Sequence, residues 1–191
     1  MSFDAKDDLC VGFWTEVLKV RPELLHLPEG GSILEVGSAD ADWLSEMHRL
    51  RPDLALVGID PRAKAEHKSL LARYPWDVLT CHFDPASFDA AVMISAVEHI
   101  GCPMYPPEVE DGDTRTMQRL GAWVKPGGWC YLDVPFRPDG VHHVKKGNFR
   151  AYSPESLRER LIVAPWREVY RQVFTPGHID GPYMALILER V

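Results

Sequence analysis

Three carboxylates crowd one turn in the stretch SILEVGSADADWL: Glu35, Asp40 and Asp42 lie within eight residues around Gly37. A strand, a glycine turn and a helix are a common way to hold a nucleotide, because the N–H groups opening the helix point at the ligand. Here Ala39 and Ala41 stand where a dinucleotide loop of the GxGxxG type carries glycines. Carboxylates beside a pyrophosphate would also repel it at close range. The turn therefore suits a ligand that lacks phosphate and carries positive charge. Three more places could do chemistry. Asp60 and Pro61 end the run LALVGIDP, Ser95 to His99 (SAVEH) follow the run FDAAVMI, and His142 and His143 precede the basic stretch VKKGNFR.

These residues need elements to position them, and 191 residues suit one domain with one sizeable core. The formal net charge of -7 argues against non-specific nucleic-acid binding, which needs a basic surface. Cys10, Cys81, Cys102 and Cys130 form no CxxC pair, so they read as reduced thiols of a cytoplasmic protein. The acidic start MSFDAKDD does not read as a signal peptide. No apolar run approaches the ~18 residues of a membrane span.

The spacing of Leu9, Phe13, Val17 and Leu24 predicts an amphipathic helix over Asp4 to Leu27. SILEV reads as a strand. The helix after it carries Trp43, Leu44, Met47 and Leu50 on one face, and LALVGID is a second strand. FDAAVMIS, Phe88 to Ser95, is a buried strand. WDVLTCHF before it is a tempting partner, but only DPAS would connect the two. In a doubly wound sheet the third and fourth strands are separated by about three spacings of ~4.8 Å, plus a return along the strand. Four residues cannot cover that. The edge strand therefore belongs at about Ser69 to Tyr74, with Pro75 to Ser87 as the crossover and at most two helical turns in RAKAEHK. DTRTMQRLGAWV predicts a helix with Asp113 as cap and Met117, Leu120 and Val124 inward. WCYLDVPF is a fifth strand. Ser153 and Pro154 open a further helix, as cap and first residue. REVYRQVF and PYMALILE predict an antiparallel pair at the other edge. Alternating strands and helices mean an α/β fold with a mostly parallel sheet. Trp14, Trp123, Trp129 and Trp166 are assigned to packing.

Ligands of such sheets sit at the carboxyl ends of the strands, where the strand order switches. That gathers Glu35, Gly37, Ser38, Asp60 and Ser95 around one crevice. S-adenosylmethionine fits the chemistry. It has no phosphate, it carries a cationic sulfonium and an ammonium, and its ribose diol suits Asp60.

ILEVGSADADWL, LVGIDPR, FDAAVMISAVEHIG and LGAWVKPGGWCYLDVPF, in this order and spacing, resemble class I S-adenosylmethionine-dependent methyltransferases over roughly Glu29 to Phe136. EHIG…KPGG is especially similar to small bacterial methyltransferase domains, some of which modify sugars or glycans. The resemblance implies a single-domain Rossmann-like α/β fold. A seven-stranded, mostly parallel sheet of order 3-2-1-4-5-7-6 would be flanked by helices. Residues 1–28 would form the N-terminal helix, 29–136 the cofactor-binding core, and 137–191 the last helix and antiparallel pair. It also implies that Glu35, Gly37 and Ser38 hold the methionine end, and that Asp60 and Pro61 hold the ribose. Trp76 and Asp77 would sit at the adenine, and Ser95 and Ala96 along the cofactor. Some relatives bind a metal through Glu-x-x-Glu-His. Ser95 replaces the first acid here, so no metal is expected.

Methyl transfer needs alignment, and a base where the acceptor must lose a proton. His99 is the leading candidate; its bland alternative is a helix-start histidine bonded to backbone. His142 and His143 are a second pair of candidates, or a solvated loop. Tyr105 could wall the substrate site or pack its loop. Arg150 could meet a substrate anion or form a surface ion pair. The expected reaction is methyl transfer to oxygen or nitrogen of a small-molecule acceptor, with a sugar or glycan precursor first. The alternatives are a protein or nucleic-acid methyltransferase, a non-catalytic cofactor-binding subunit of a partner protein, and a dinucleotide oxidoreductase. Homodimerisation stays open.

Overall fold

Ser32–Val36 forms strand β1 of a computed structural model that describes residues 27–38, 42–68, 70–140, 143–145, 148–175 and 181–191. The expected N-terminal helix and Trp14 lie outside these residues, Leu27 apart. Strand β1 alternates its side chains between two buried faces. Leu34 and Val36 join one core cluster, and Ile33 joins the other. A strand covered on both sides reads as a continuous apolar run, which is why SILEV is legible.

Helix α1, Asp42–Leu50, buries Trp43, Leu44 and Met47 but not Leu50, which is 57% exposed at its last turn. Strand β2 is Ala55–Ile59, β3 is Glu66–Lys68, β4 is Leu71–Tyr74 and β5 is Phe88–Ile94. After β5 a short 3₁₀ turn covers Val97–His99, and helix α2 spans Gly112–Trp123. Strand β6 is Val124–Pro135, with a register shift against β5 that throws out Lys125 to Gly127. Strands β7, His143–Lys145, and β8, Phe149–Ala151, pair as a separate hairpin. Helix α3, Pro154–Ser156, continues as a wider-turned Leu157–Leu161. Strands β9, Trp166–Phe174, and β10, Tyr183–Arg190, complete the order.

The main sheet runs β3-β4-β2-β1-β5-β6-β10-β9. Without β3 this is the expected 3-2-1-4-5-7-6 order. Strands β4, β2, β1, β5 and β6 are parallel, and β10 is antiparallel to both β6 and β9. The crossover argument holds: Leu71–Tyr74 is the parallel strand beside β2, and Trp76 to Phe83 is not a strand. Glu66–Lys68 corrects one expectation. It pairs antiparallel with β4 instead of turning as a helix, and adds an eighth strand at that edge. The hairpin β7–β8 is a second addition, in a stretch expected to be a loop.

One more correction concerns Asp113. Asp111 occupies the cap position of α2, and Asp113 lies fully buried in the first turn of the helix. It accepts hydrogen bonds from the Tyr152 hydroxyl at 2.9 Å and from Arg160 at 2.7 and 2.8 Å, with the Arg150 guanidinium 3.7 Å away. Burial and the Asp113 charge hold the Tyr152 phenol far above its ordinary range, so it stays a donor. A buried carboxylate with several charge-assisted donors is a satisfied one. Ser153 caps α3 as expected, in a reciprocal pair with Ser156. Trp123, Trp129 and Trp166 are buried. Among the described residues, no helix is long and apolar enough to cross a membrane.

Candidate functional site

A cleft of about 260 Å³ opens at the carboxyl ends of β1, β2 and β5. Of the residues expected around a cofactor, Gly37, Asp60, Pro61, Trp76, Asp77, Ser95 and Ala96 line it. His99 and Tyr105 line it too. The sheet topology does this work, since all seven expected residues come just after the ends of the parallel strands β1, β2, β4 and β5.

The turn after β1 is tight for a stated reason. The Gly37 and Ser38 N–H groups both donate to the Ile59 carbonyl, at 2.8 and 3.3 Å. Gly37 has φ of +90°, and a Cβ there would stand 2.5 Å from the Ala96 Cβ. Glu35 and Ser38 are buried just behind the cleft wall and do not line it. Glu35 pairs in register with Gly58 of β2, and Ser38 packs where a Gly58 side chain would go. Ala39, Asp40 and Ala41 lie outside the described residues.

At the end of β2, Asp60 is 4% exposed. Its Oδ1 accepts from the Arg62 N–H at 2.7 Å and from Arg62 Nε at 3.1 Å, and its Oδ2 accepts from Arg62 Nη2 at 3.0 Å. Beyond β4, Trp76 stacks on Tyr74 with centroids 4.1 Å apart and rings 13° from parallel. Val78, Leu79 and Asp77 complete that end of the cleft, with Asp77 Oδ1 accepting the Leu79 N–H at 2.8 Å.

Beyond β5, Ser95 takes φ of +46°, a region that a side chain enters at a cost of order 1–3 kcal/mol. Two buried acids hold it there. Its N–H donates to Asp133 Oδ1 at 2.8 Å and its hydroxyl to Glu98 Oε1 at 2.7 Å. Tyr131 donates to the other Asp133 oxygen at 3.0 Å. His99 follows, with Nδ1 2.9 Å from the Asn148 carbonyl oxygen and its ring edge-on to Tyr105 and Phe149. Its Nε2 is 3.9 Å from Glu98 Oε1. Tyr105, with Met104, Pro106 and Pro107, forms an aromatic and apolar lip.

Arg150 is not at the cleft. It is 3% exposed and donates to the carbonyls of Ile100, Val109 and Glu110 at 2.7–3.3 Å, so its guanidinium is committed to backbone. His142 lies outside the described residues, and only the backbone of His143 is described, within β7. Among the described residues no group of three or more His, Cys, Asp or Glu is placed to hold a metal ion. Sequence reasoning missed Arg62 and Asp133 as parts of the site. The signal for Asp133 was a lone acid inside the apolar run WCYLDVPF.

A model of the methyltransferase domain family matches residues 13–178, most of the chain. The chain belongs to that family. Its enzyme class, S-adenosylmethionine-dependent methyltransferase, goes with that membership and with the class I sheet order. Solved structures agree on the fold of this methyltransferase. The 1,6-didemethyltoxoflavin-N1-methyltransferase of Burkholderia thailandensis, bound to S-adenosylhomocysteine, aligns with a TM-score of 0.67 at 16% identity, over 94% of this chain and 81% of that one. A methyltransferase of Methanosarcina mazei aligns with a TM-score of 0.65 at 16% identity, over 89% and 97%. A Haloferax volcanii complex between the Trm112 methyltransferase activator and a methyltransferase aligns with a TM-score of 0.65 at 14% identity, over 96% of both chains. Comparison with curated proteins gave no match.

The residues present fit the cofactor of this family. A bare Gly37 leaves the close approach that a Cβ would fill, and Trp76, Val78 and Leu79 offer an apolar slot to a flat ring. The buried Asp60 is an acid of the kind a diol needs, although here Arg62 bonds both of its oxygens.

Proposed function

We propose that this methyltransferase acts on oxygen or nitrogen of a small-molecule acceptor, with His99 as the general base. One observation carries the reading: His99 lines the cleft, and its 2.9 Å backbone contact, Nδ1 to the Asn148 carbonyl, engages one ring nitrogen and sets the tautomer of the other. A carbonyl oxygen only accepts, so in the neutral ring the proton sits on Nδ1 and the lone pair on Nε2. A cleft-lining imidazole held in that tautomer is prepared to take a proton from an acceptor hydroxyl or amine. The bound cofactor supplies the activated methyl carbon. Gly37, Asp60 and the Trp76 end of the cleft orient its two halves, and the Ser95 backbone, fixed by Asp133 and Glu98, carries the turn that presents His99. The lip of Tyr105, Pro106 and Pro107 restricts water at the reacting atoms. The apolar face of a sugar ring packs well on an aromatic ring such as Tyr105, so sugars head the acceptor panel.

The test is titration calorimetry with S-adenosylmethionine, S-adenosylhomocysteine and NADH. A panel of hydroxyl and amine acceptors follows, read by S-adenosylhomocysteine release. Both adenosyl ligands are expected to bind saturably and NADH not at all. His99→Ala is expected to keep S-adenosylhomocysteine affinity within about twofold and to slow turnover by roughly 10²–10⁴. Failure of the adenosyl ligands to bind removes the proposal. Binding without turnover on any acceptor favours a second reading, a catalytic subunit completed by a partner protein. That reading is supported by the fold it shares with the Trm112-bound methyltransferase.

A further inference from the structure

Asp60 cannot serve a ribose diol in the arrangement described. A carboxylate offers about four lone-pair sites. Arg62 fills three of them, through its N–H and Nε on Oδ1 and its Nη2 on Oδ2. A vicinal diol that binds both carboxylate oxygens needs one free site on each, and Oδ1 has none left. The same guanidinium reaches across the cleft mouth. Its Nη1 is 3.4 Å from the Tyr105 hydroxyl and its Cζ lies 5.2 Å from the Tyr105 ring centroid. Arg62 thus ties the β2 side of the cleft to the lip that follows β5.

We propose that Arg62 is an internal competitor for the cofactor site, a side chain that occupies Asp60 until the ribose diol replaces it. The inference rests on the reading of Asp60 as the ribose-binding acid. Replacement exchanges a charge-assisted bidentate pair for two hydroxyl donors, while the Arg62 N–H bond to Oδ1 remains. Arg62 is 53% exposed on its side chain, so the freed guanidinium is rehydrated at little cost and keeps the Tyr105 ring beside it. Cofactor affinity is therefore set below what the cleft would otherwise give, and it depends on salt. Ions screen the Arg62–Asp60 pair and leave the hydroxyl bonds largely unaffected.

S-adenosylhomocysteine is the probe, because it lacks the sulfonium charge. Titrated against the full chain, Arg62→Ala is expected to bind it about twofold to fivefold more tightly than the parent at low salt, in line with removal of one partly exposed ion pair. Arg62→Lys, which keeps the charge but loses the fork, is expected to fall between. Raising sodium chloride from about 50 to about 500 mM should tighten the parent and leave Arg62→Ala flat. Equal or weaker binding by Arg62→Ala, in a parent that binds, overturns the competitor and makes Arg62 a direct cofactor contact or a bystander. If neither protein binds, the reading of Asp60 has failed and this inference falls with it. Binding by Arg62→Ala alone supports the competitor in its strongest form.

Discussion

Gly37→Ala tests the turn on which the cleft is built, and its cost divides into two parts. The backbone sits at φ of +90°, where an L side chain pays about 1–2 kcal/mol. The new Cβ would also stand 2.5 Å from the Ala96 Cβ, well inside the ~3.5–4.0 Å of ordinary carbon contact. Forcing an extra carbon into a packed site typically costs about 1–3 kcal/mol. Together these give about 2–5 kcal/mol of lost stability. At roughly 2–4 °C per kcal/mol for a chain of this size, the thermal midpoint should fall by about 5–20 °C. The companion variant Gly37→Ala with Ala96→Gly removes the crowding and keeps the backbone term. Measured by urea unfolding against both single variants, the cycle should show about 1 kcal/mol or more of favourable coupling. A Gly37→Ala protein within about 1 kcal/mol of the parent would refute the steric account. A cycle with no coupling would place the cost in the backbone alone.

Two further predictions concern the acids. Asp60→Ala should weaken S-adenosylhomocysteine binding by more than ~1 kcal/mol, as loss of a charge-assisted hydrogen bond does; unchanged affinity in calorimetry would remove Asp60 from the site. Burial pushes the Asp89 carboxyl up, but hydrogen bonds from Lys125 and Ser32 more than offset it and leave the group below its ordinary value. Such a group contributes stability above its unfolded pKa of about 3.9 and loses it as pH falls through the lower native value. Asp89→Asn should flatten the acid arm of the stability curve below about pH 4, and an unchanged arm would contradict the assignment.

Much of this arrangement was legible because the physics is local. SILEV, LALVGI, FDAAVMI and the last strand, YMALIL, are apolar runs, and their order fixes which strand ends meet. The edge strand was legible through chain length, since four residues cannot span the sheet. What stayed hidden depends on distant partners. The polar triplet of β3 is a strand only because β4 offers it an edge. Asp113 has the composition of a cap, yet Tyr152, Arg150 and Arg160, some forty residues later in the chain, draw it inward. Arg150 looked like a surface cation because nothing in its neighbours announces three backbone carbonyls from 40 to 50 residues earlier. Arg62 was adjacent to Asp60 in plain view, but a side chain folding back onto its own strand end leaves no periodic trace.

The fastening of the lip has a kinetic meaning. Arg150 and Arg160 tether the carbonyls at 100, 109 and 110 to the last third of the chain, and the Val109 N–H closes the base of the loop on the Gly101 carbonyl. Amide protons at that base should exchange with solvent only as fast as the whole domain opens, while the amide of the exposed Met104 in the lip exchanges sooner. One jaw of the cleft is then clamped to the global folding unit. Molecules enter and leave by movement of the tip and of the Asp60–Arg62 side, so the rate of entry can be tuned by substitutions there without loosening the rest of the protein.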